Sequence, residues 1–121
     1  MATKTMGARD ADFLLSEAAG SRSRESVTIL SGENLEGGSV LGKVTASGKY
    51  VLSDADAVDG SEAAAAVLLN AVDASAGDSL GTVIVRDAEV DTDKLVWDAL
   101  NDAGEKTTAL AELLALGIVA R

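Results

Sequence analysis

Cysteine and histidine are both missing from the 121 residues, and the two absences together exclude most familiar site chemistry. Without cysteine there is no disulfide, no thiolate nucleophile and no Cys-ligated zinc. Without histidine the chain lacks the commonest general base near neutral pH, the commonest metal ligand and the base of most nucleophilic triads. Only carboxylate, lysine, serine or tyrosine chemistry remains, so catalysis and cofactors are not expected. Aromatic residues make up 2 % of the chain, namely Phe13, Tyr50 and Trp97. The core must therefore be built from Ala, Val and Leu, and so small an apolar payload invites help from an oligomer interface. Cations are few and scattered. Ten Lys and Arg face twenty Asp and Glu, a net charge of −10, so nothing offers the clustered positive surface that direct nucleic-acid binding needs. Long apolar runs are lacking too. The longest, AAAAVLL at 63–69, falls far short of a membrane span, and the N-terminus MATKTMGARDADFLLSEAAGS has no apolar core of a secretion signal. The expectation is a chain made and kept in the cytosol or in something assembled there.

What is present reads as one domain with a head. Residues 1–24 carry a net +1 and the remainder −11, a near-neutral arm ahead of an acidic body. Residues 1–25 are rich in Ala, Gly, Ser, Thr and charge without a sustained period, which predicts a flexible arm. The body, 26–121, opens with strand patterns. Val27 and Ile29 alternate with Thr28, Leu35 sits in an acidic loop, and Val40–Thr45 is a strand whose Gly42 signals a bulge or a close backbone approach. Ser47-Gly48 turns the chain into Lys49–Leu52. Residues 65–72 read as a buried strand feeding a loop, and Thr82–Arg86 as a central strand. Leu110, Leu113 and Leu114 recur at spacings of three and four within a helix over 105–116, capped by Gly117, after which Ile118-Val119 form a last short strand. Residues 91–100 fit either a strand end or a short helix. The class is α+β, mainly β: a small barrel-like or meander domain with a C-terminal helix and a flexible N-terminal arm.

No constellation carries convincing chemistry. Asp54, Asp56, Asp59 and Glu62 around Gly60 superficially resemble a calcium loop, but with Gly60 at the sixth position Ala55 and Ala66 fall where ligand carboxylates belong. Asp87, Glu89, Asp91 and Asp93 alternate, which predicts a solvent-facing edge that resists unwanted strand pairing, since a glycosidase dyad would need a cleft lined with aromatics. The Gly37–Gly42 stretch lacks any phosphate-binding fingerprint. Arg22 and Arg24 stand where the arm meets the body and could pair with acidic groups of a partner. Trp97 reads as core filling first and as an interface residue second.

In order and spacing, the segments LLSEAAGSRSRESVTILSG, LEGGSVLGKVTASGKYV, DGSEAAAAVLLNAVDASAGD, TVIVRDAEV, LVW and ALAELLALGIVAR resemble the head decoration protein family of tailed bacteriophages, typified by the lambda capsid decoration protein D. The resemblance runs from about Phe13 to Arg121. Asp98 stands where family members usually carry a proline after the Trp, and this chain has no proline at all. The resemblance implies a homotrimer that caps threefold sites on the exterior of an expanded virion capsid, binds the major capsid protein and stabilises the head against internal DNA pressure. It also implies that an arm segment, Arg22, Ser23, Arg24, Glu25, Ser26, Val27 and Thr28, orders on the shell by joining a sheet of the capsid protein. Ile118 and Val119 would lie on the same capsid-facing side. Two other readings compete with it. One is a small β-barrel carrier or binding module presenting Lys49 at a hairpin tip, and the other is a carboxylate hydrolase using Asp87 and Glu89.

Overall fold

Residues 13–18, 22–54, 56–98 and 103–121 are described in the computed structural model of the chain. Among them the strands are β1 (Leu14–Glu17), β2 (Arg24–Ile29), β3 (Asn34–Leu35), β4 (Val40–Lys43), β5 (Tyr50–Leu52), β6 (Ala66–Leu68), β7 (Val72–Asp73), β8 (Ser79–Ile84), β9 (Ala88–Val90) and β10 (Ile118–Ala120), with one helix, α1 (Ala103–Ala115), before the last strand. Five strands close a barrel in the order β2-β5-β4-β6-β8, while β1-β9-β10 form a separate sheet and β3-β7 a two-stranded ribbon.

The uninterrupted apolar runs have a direct structural cause: three barrel strands bury both faces. Along β4, β6 and β8, Leu41, Ala66, Leu68 and Val83 point into the barrel with Ile29, Leu35 and Ala74. The residues between them, Val40, Val67, Leu69 and Ile84, point outward into a second core with Phe13, Val90, Leu95, Leu113 and Ile118. Period-2 alternation is thus present in the backbone but invisible in the hydropathy, as for any strand buried on both sides. The expected central strand is confirmed, since β8 is bonded to β2 along its whole length and to β6 on the other side. Gly42 is a close approach, because a Cβ there would lie 2.1 Å from the Ser61 carbonyl oxygen.

The helix ends as expected. Gly117 takes φ +91°, and the N–H groups of Leu116 and Gly117 donate to the carbonyls of Leu113 and Leu114. This left-handed stop is open to glycine and costly for other residues. Ala109 and Leu113 are the buried residues of α1, whereas Leu114 is 58 % exposed. The undecided stretch after Asp91 is a 3₁₀ turn, Thr92–Lys94, followed by extended Leu95. Val96 then bridges Ser39 in parallel.

Three features differ from the sequence reading. Leu35 is buried and its strand pairs with β7, so it belongs to a short ribbon and not to a loop. The acidic alternation at 87–93 does not mark an edge: β9 is the middle strand, antiparallel to β1 and parallel to β10. Alternating carboxylates report which face meets solvent and carry no information about whether the strand's edges are occupied. Finally, packing begins before residue 26. Phe13 is 1 % exposed in the outer core, Leu14–Glu17 are laid on β9, and Arg24 and Glu25 are already rungs of the barrel. The rest of the expected arm, residues 1–12 and 19–21, lies outside the described residues.

Candidate functional site

The root of the N-terminal segment and the C-terminal strand converge on β9. Glu89, in the middle of that strand, accepts a hydrogen bond from Ser16 Oγ at 2.7 Å and pairs with Arg121. One strand earlier in space, Glu17 accepts from Arg24 through both carboxylate oxygens and from the buried Ser23 hydroxyl. These donors, Arg24 foremost, hold the Glu17 carboxyl down to about 2. Glu89 is lowered for the same reason, by Ser16 and then Arg121. Arg86 pairs with Glu25 and donates to the Arg22 carbonyl at 2.6 Å, while Arg22 lies 3.6 Å from Asp87. Asp87 itself has φ 53°, a left-handed conformation that aspartate adopts more readily than most non-glycine residues. Its carbonyl accepts the Ala18 N–H at 2.9 Å.

Four of the five arginines in the chain, Arg22, Arg24, Arg86 and Arg121, therefore gather at one end and are matched there by Glu17, Glu25, Asp87 and Glu89. The net acidity of the protein resides elsewhere. Arg22 and Arg24 were foreseeable as a junction pair. Arg86 and Arg121 were missed, and the available signal was modest: each is the lone cation directly after a β-branched or apolar strand run.

The expected shell-contacting residues separate on inspection. Arg22 and Ser23 form a turn, and Arg24, Glu25, Ser26, Val27 and Thr28 belong to β2. Ser23 and Ile118 are fully buried, so their side chains hold the fold, whereas Val119 is half-buried. β2 has one bonded edge and one largely open edge. It matches β8 at all six positions but meets β5 only at Ile29–Tyr50. The Val85 N–H donates to the Ser23 carbonyl, which makes Ser23–Val85, Glu25–Val83 and Val27–Gly81 the hydrogen-bonded pairs of the antiparallel ladder. The main-chain groups of Arg24 and Ser26 consequently point away from β8.

The competing sites lose their premises. Lys49 is not presented freely at a hairpin tip, because its ammonium pairs with Asp78 at 2.5 Å, a carboxylate that also accepts the Ser31 N–H. In the acidic loop, Asp59 accepts from the Ser61 N–H and hydroxyl, and Glu62 accepts from the Gly60 N–H. Those oxygens brace a turn. Asp87 lies 3.6 Å from Arg22, and Glu89 is held by Ser16 and Arg121, donors that lower its carboxyl and leave it unsuited to donating a proton. Trp97 packs against the outer core with the Lys106 ammonium 5.9 Å from its ring centre.

With the root of the N-terminal segment, the C-terminal strand, the arginine cluster and the barrel in place, comparison with known families is decisive. The family model described as bacteriophage lambda head decoration protein D matches residues 3–118. The chain belongs to that family. Its role is decoration of a phage capsid, and the family is one of structural capsid proteins and not a known family of enzymes. A search of curated proteins finds no match to the chain. No helix among the described residues is long and apolar enough to cross a membrane.

Proposed function

We propose that the protein assembles as a homotrimer, docks from outside at the threefold positions of an expanded head and clamps neighbouring major capsid protein subunits against the pressure of packaged DNA. Membership of the decoration family carries this reading. The arrangement of the termini supports it: the root of the N-terminal segment and the C-terminal strand flank one strand, β9, so a single face can present both to a shell. We assign to that face the stretch Arg22, Ser23, Arg24, Glu25, Ser26, Val27 and Thr28 and the strand end at Ile118 and Val119, with the buried Ser23 and Ile118 side chains anchoring it from within. Its charges are balanced internally, while the acidic remainder disfavours contact with DNA and with further copies of itself. The small, aromatic-poor core suits a subunit stabilised by trimer contacts. Three attachment points on one trimer turn weak individual contacts into slow release, because the second and third engagements are intramolecular.

Light scattering with co-sedimentation tests the proposal. A trimer that pellets with expanded heads and ignores unexpanded ones is expected; a stable monomer that pellets with neither removes it. Deleting residues 1–12 is expected to leave a folded protein with weakened head binding.

A further inference from the structure

The outer core covers only part of the barrel's outside. Along β8 the outward positions are Leu80, Thr82 and Ile84. Ile84 is sealed in the outer core, Thr82 is half-buried and Leu80 is 73 % exposed. Cover is therefore lost toward the start of the strand, where Leu80 stands opposite Thr28 and Thr82 opposite Ser26. Beside Leu80 lies a hollow of about 180 Å³, framed by Ser26, Asn70, Ala71, Val72 and Thr82. Every residue that lines it is uncharged. Two larger hollows among the described residues differ in this respect, one carrying Glu33, Asp54, Asp59 and Asp98, the other Glu25, Arg86 and Asp87. The carboxylates that flank the Leu80 face in sequence are engaged elsewhere, Asp73 with Ser75 and Asp78 with Lys49.

A single exposed leucine means little on its own, but the charge of the molecule gives this one a partner. With a net charge of −10, two copies repel across most of their surfaces, and like charges brought face to face at a contact weaken it. A face free of carboxylates avoids that repulsion, and a leucine beside a hollow supplies both a knob and a socket. A knob and a socket side by side on one face make a head-to-tail contact, the kind that a rotation closes into a ring. We infer that the Leu80 face is the surface through which copies of this chain pack on one another, with Leu80 of each copy seated against the hollow of the next. The inference rests on the homotrimer proposed above and assigns its contact surface. Position favours a second copy over the shell. The face adjoins the proposed shell-facing stretch at Thr28, yet it lies toward the far end of the β2–β8 ladder from Arg24 and the arginine cluster. Subunits that stand side by side on one support touch through flanks of this kind.

Leu80→Glu tests the assignment. Because the side chain is largely solvated within one subunit, the variant is expected to fold with an unchanged circular dichroism spectrum. The concentration it needs for half-assembly should rise by about a hundredfold, since each contact would bury a carboxylate without a partner. Light scattering then reads a monomer where the wild type reads a trimer. An L80E trimer that assembles at wild-type concentrations overturns the inference. So does an L80E trimer that no longer pellets with expanded heads, which would give the face to the capsid protein. If L80E fails to fold, Ala71→Arg, at an exposed position framing the same hollow, decides: a monomer supports the contact and a trimer overturns it. A monomeric wild type would refute the homotrimer itself, before any variant is compared. A trimeric wild type beside an equally trimeric L80E refutes the contact surface alone.

Discussion

The barrel interior and the core outside it share the walls β4, β6 and β8, yet they are closed by different means. The interior is sealed by strands from the middle of the chain, β2 to β8, with Leu41, Leu68 and Val83 meeting across it. The outer core is assembled from the two ends of the chain: Phe13 from the beginning, Leu113 and Ile118 from the end, and Val90 and Leu95 between them. Its lid is the β1-β9-β10 sheet, tied down by ion pairs at Glu17 and Glu89. Both cores need long-range pairing, Arg24 with Ile84 in the barrel and Leu14 with Val90 in the lid, but only the outer core brings the two ends of the chain together.

Substitutions on either side of the wall can break this comparison. Phe13→Ala removes the largest side chain of the outer core and is expected to cost about 3–5 kcal/mol in chemical denaturation. If it costs under about 1 kcal/mol, a level typical of surface positions, the N-terminal root is not part of the folding unit. Leu68→Ala empties the barrel interior and should cost about 2–5 kcal/mol, with the same single transition. Separate transitions in either variant would show that the two cores unfold independently. Gly117→Ala places a Cβ at φ +91° and 3.2 Å from the Asp87 N–H nitrogen, and a loss of about 1–2 kcal/mol is expected from the left-handed backbone alone.

The smallest effect concerns the lid. Glu17 is held at about 2 in the folded protein against an ordinary 4.5. A carboxyl lowered by folding stabilises the fold fully above the ordinary value, and that contribution disappears as pH falls from 4.5 toward 2. Glu17→Gln is therefore expected to flatten the acid dependence of the unfolding midpoint in that window while changing little at neutral pH. The effect is modest because the pairing is solvent-accessible. An unchanged acid profile would remove Glu17 from the lid's electrostatics.

The same division decided what could be read from the amino acids. The strand expected at 82–86, which runs Ser79–Ile84, the helix with its Gly117 stop, the last strand at 118–119 and the close approach at Gly42 are all local signals with counterparts in the structure. The position of β9 between two partners, and the packing of Phe13, were not legible. Alternating acids at 87–93 look alike on an edge strand and on a central strand whose outer face is solvated. An isolated FLL in a polar stretch acquires a partner only through a strand more than 70 residues away, at Leu14–Val90. Of the expected shell-contacting stretch, the β character of 26–28 was visible. The largely open edge of β2 was not, because it arises from the short overlap of two strands whose pairing no local pattern encodes.

Strands buried on both sides leave no idle surface along the middle of the molecule, so a disturbance on either flank is felt on the other. The fold should respond to strain by holding whole or letting go whole. In the proposed role as a clamp on a pressurised head, such brittleness would postpone failure and make it abrupt.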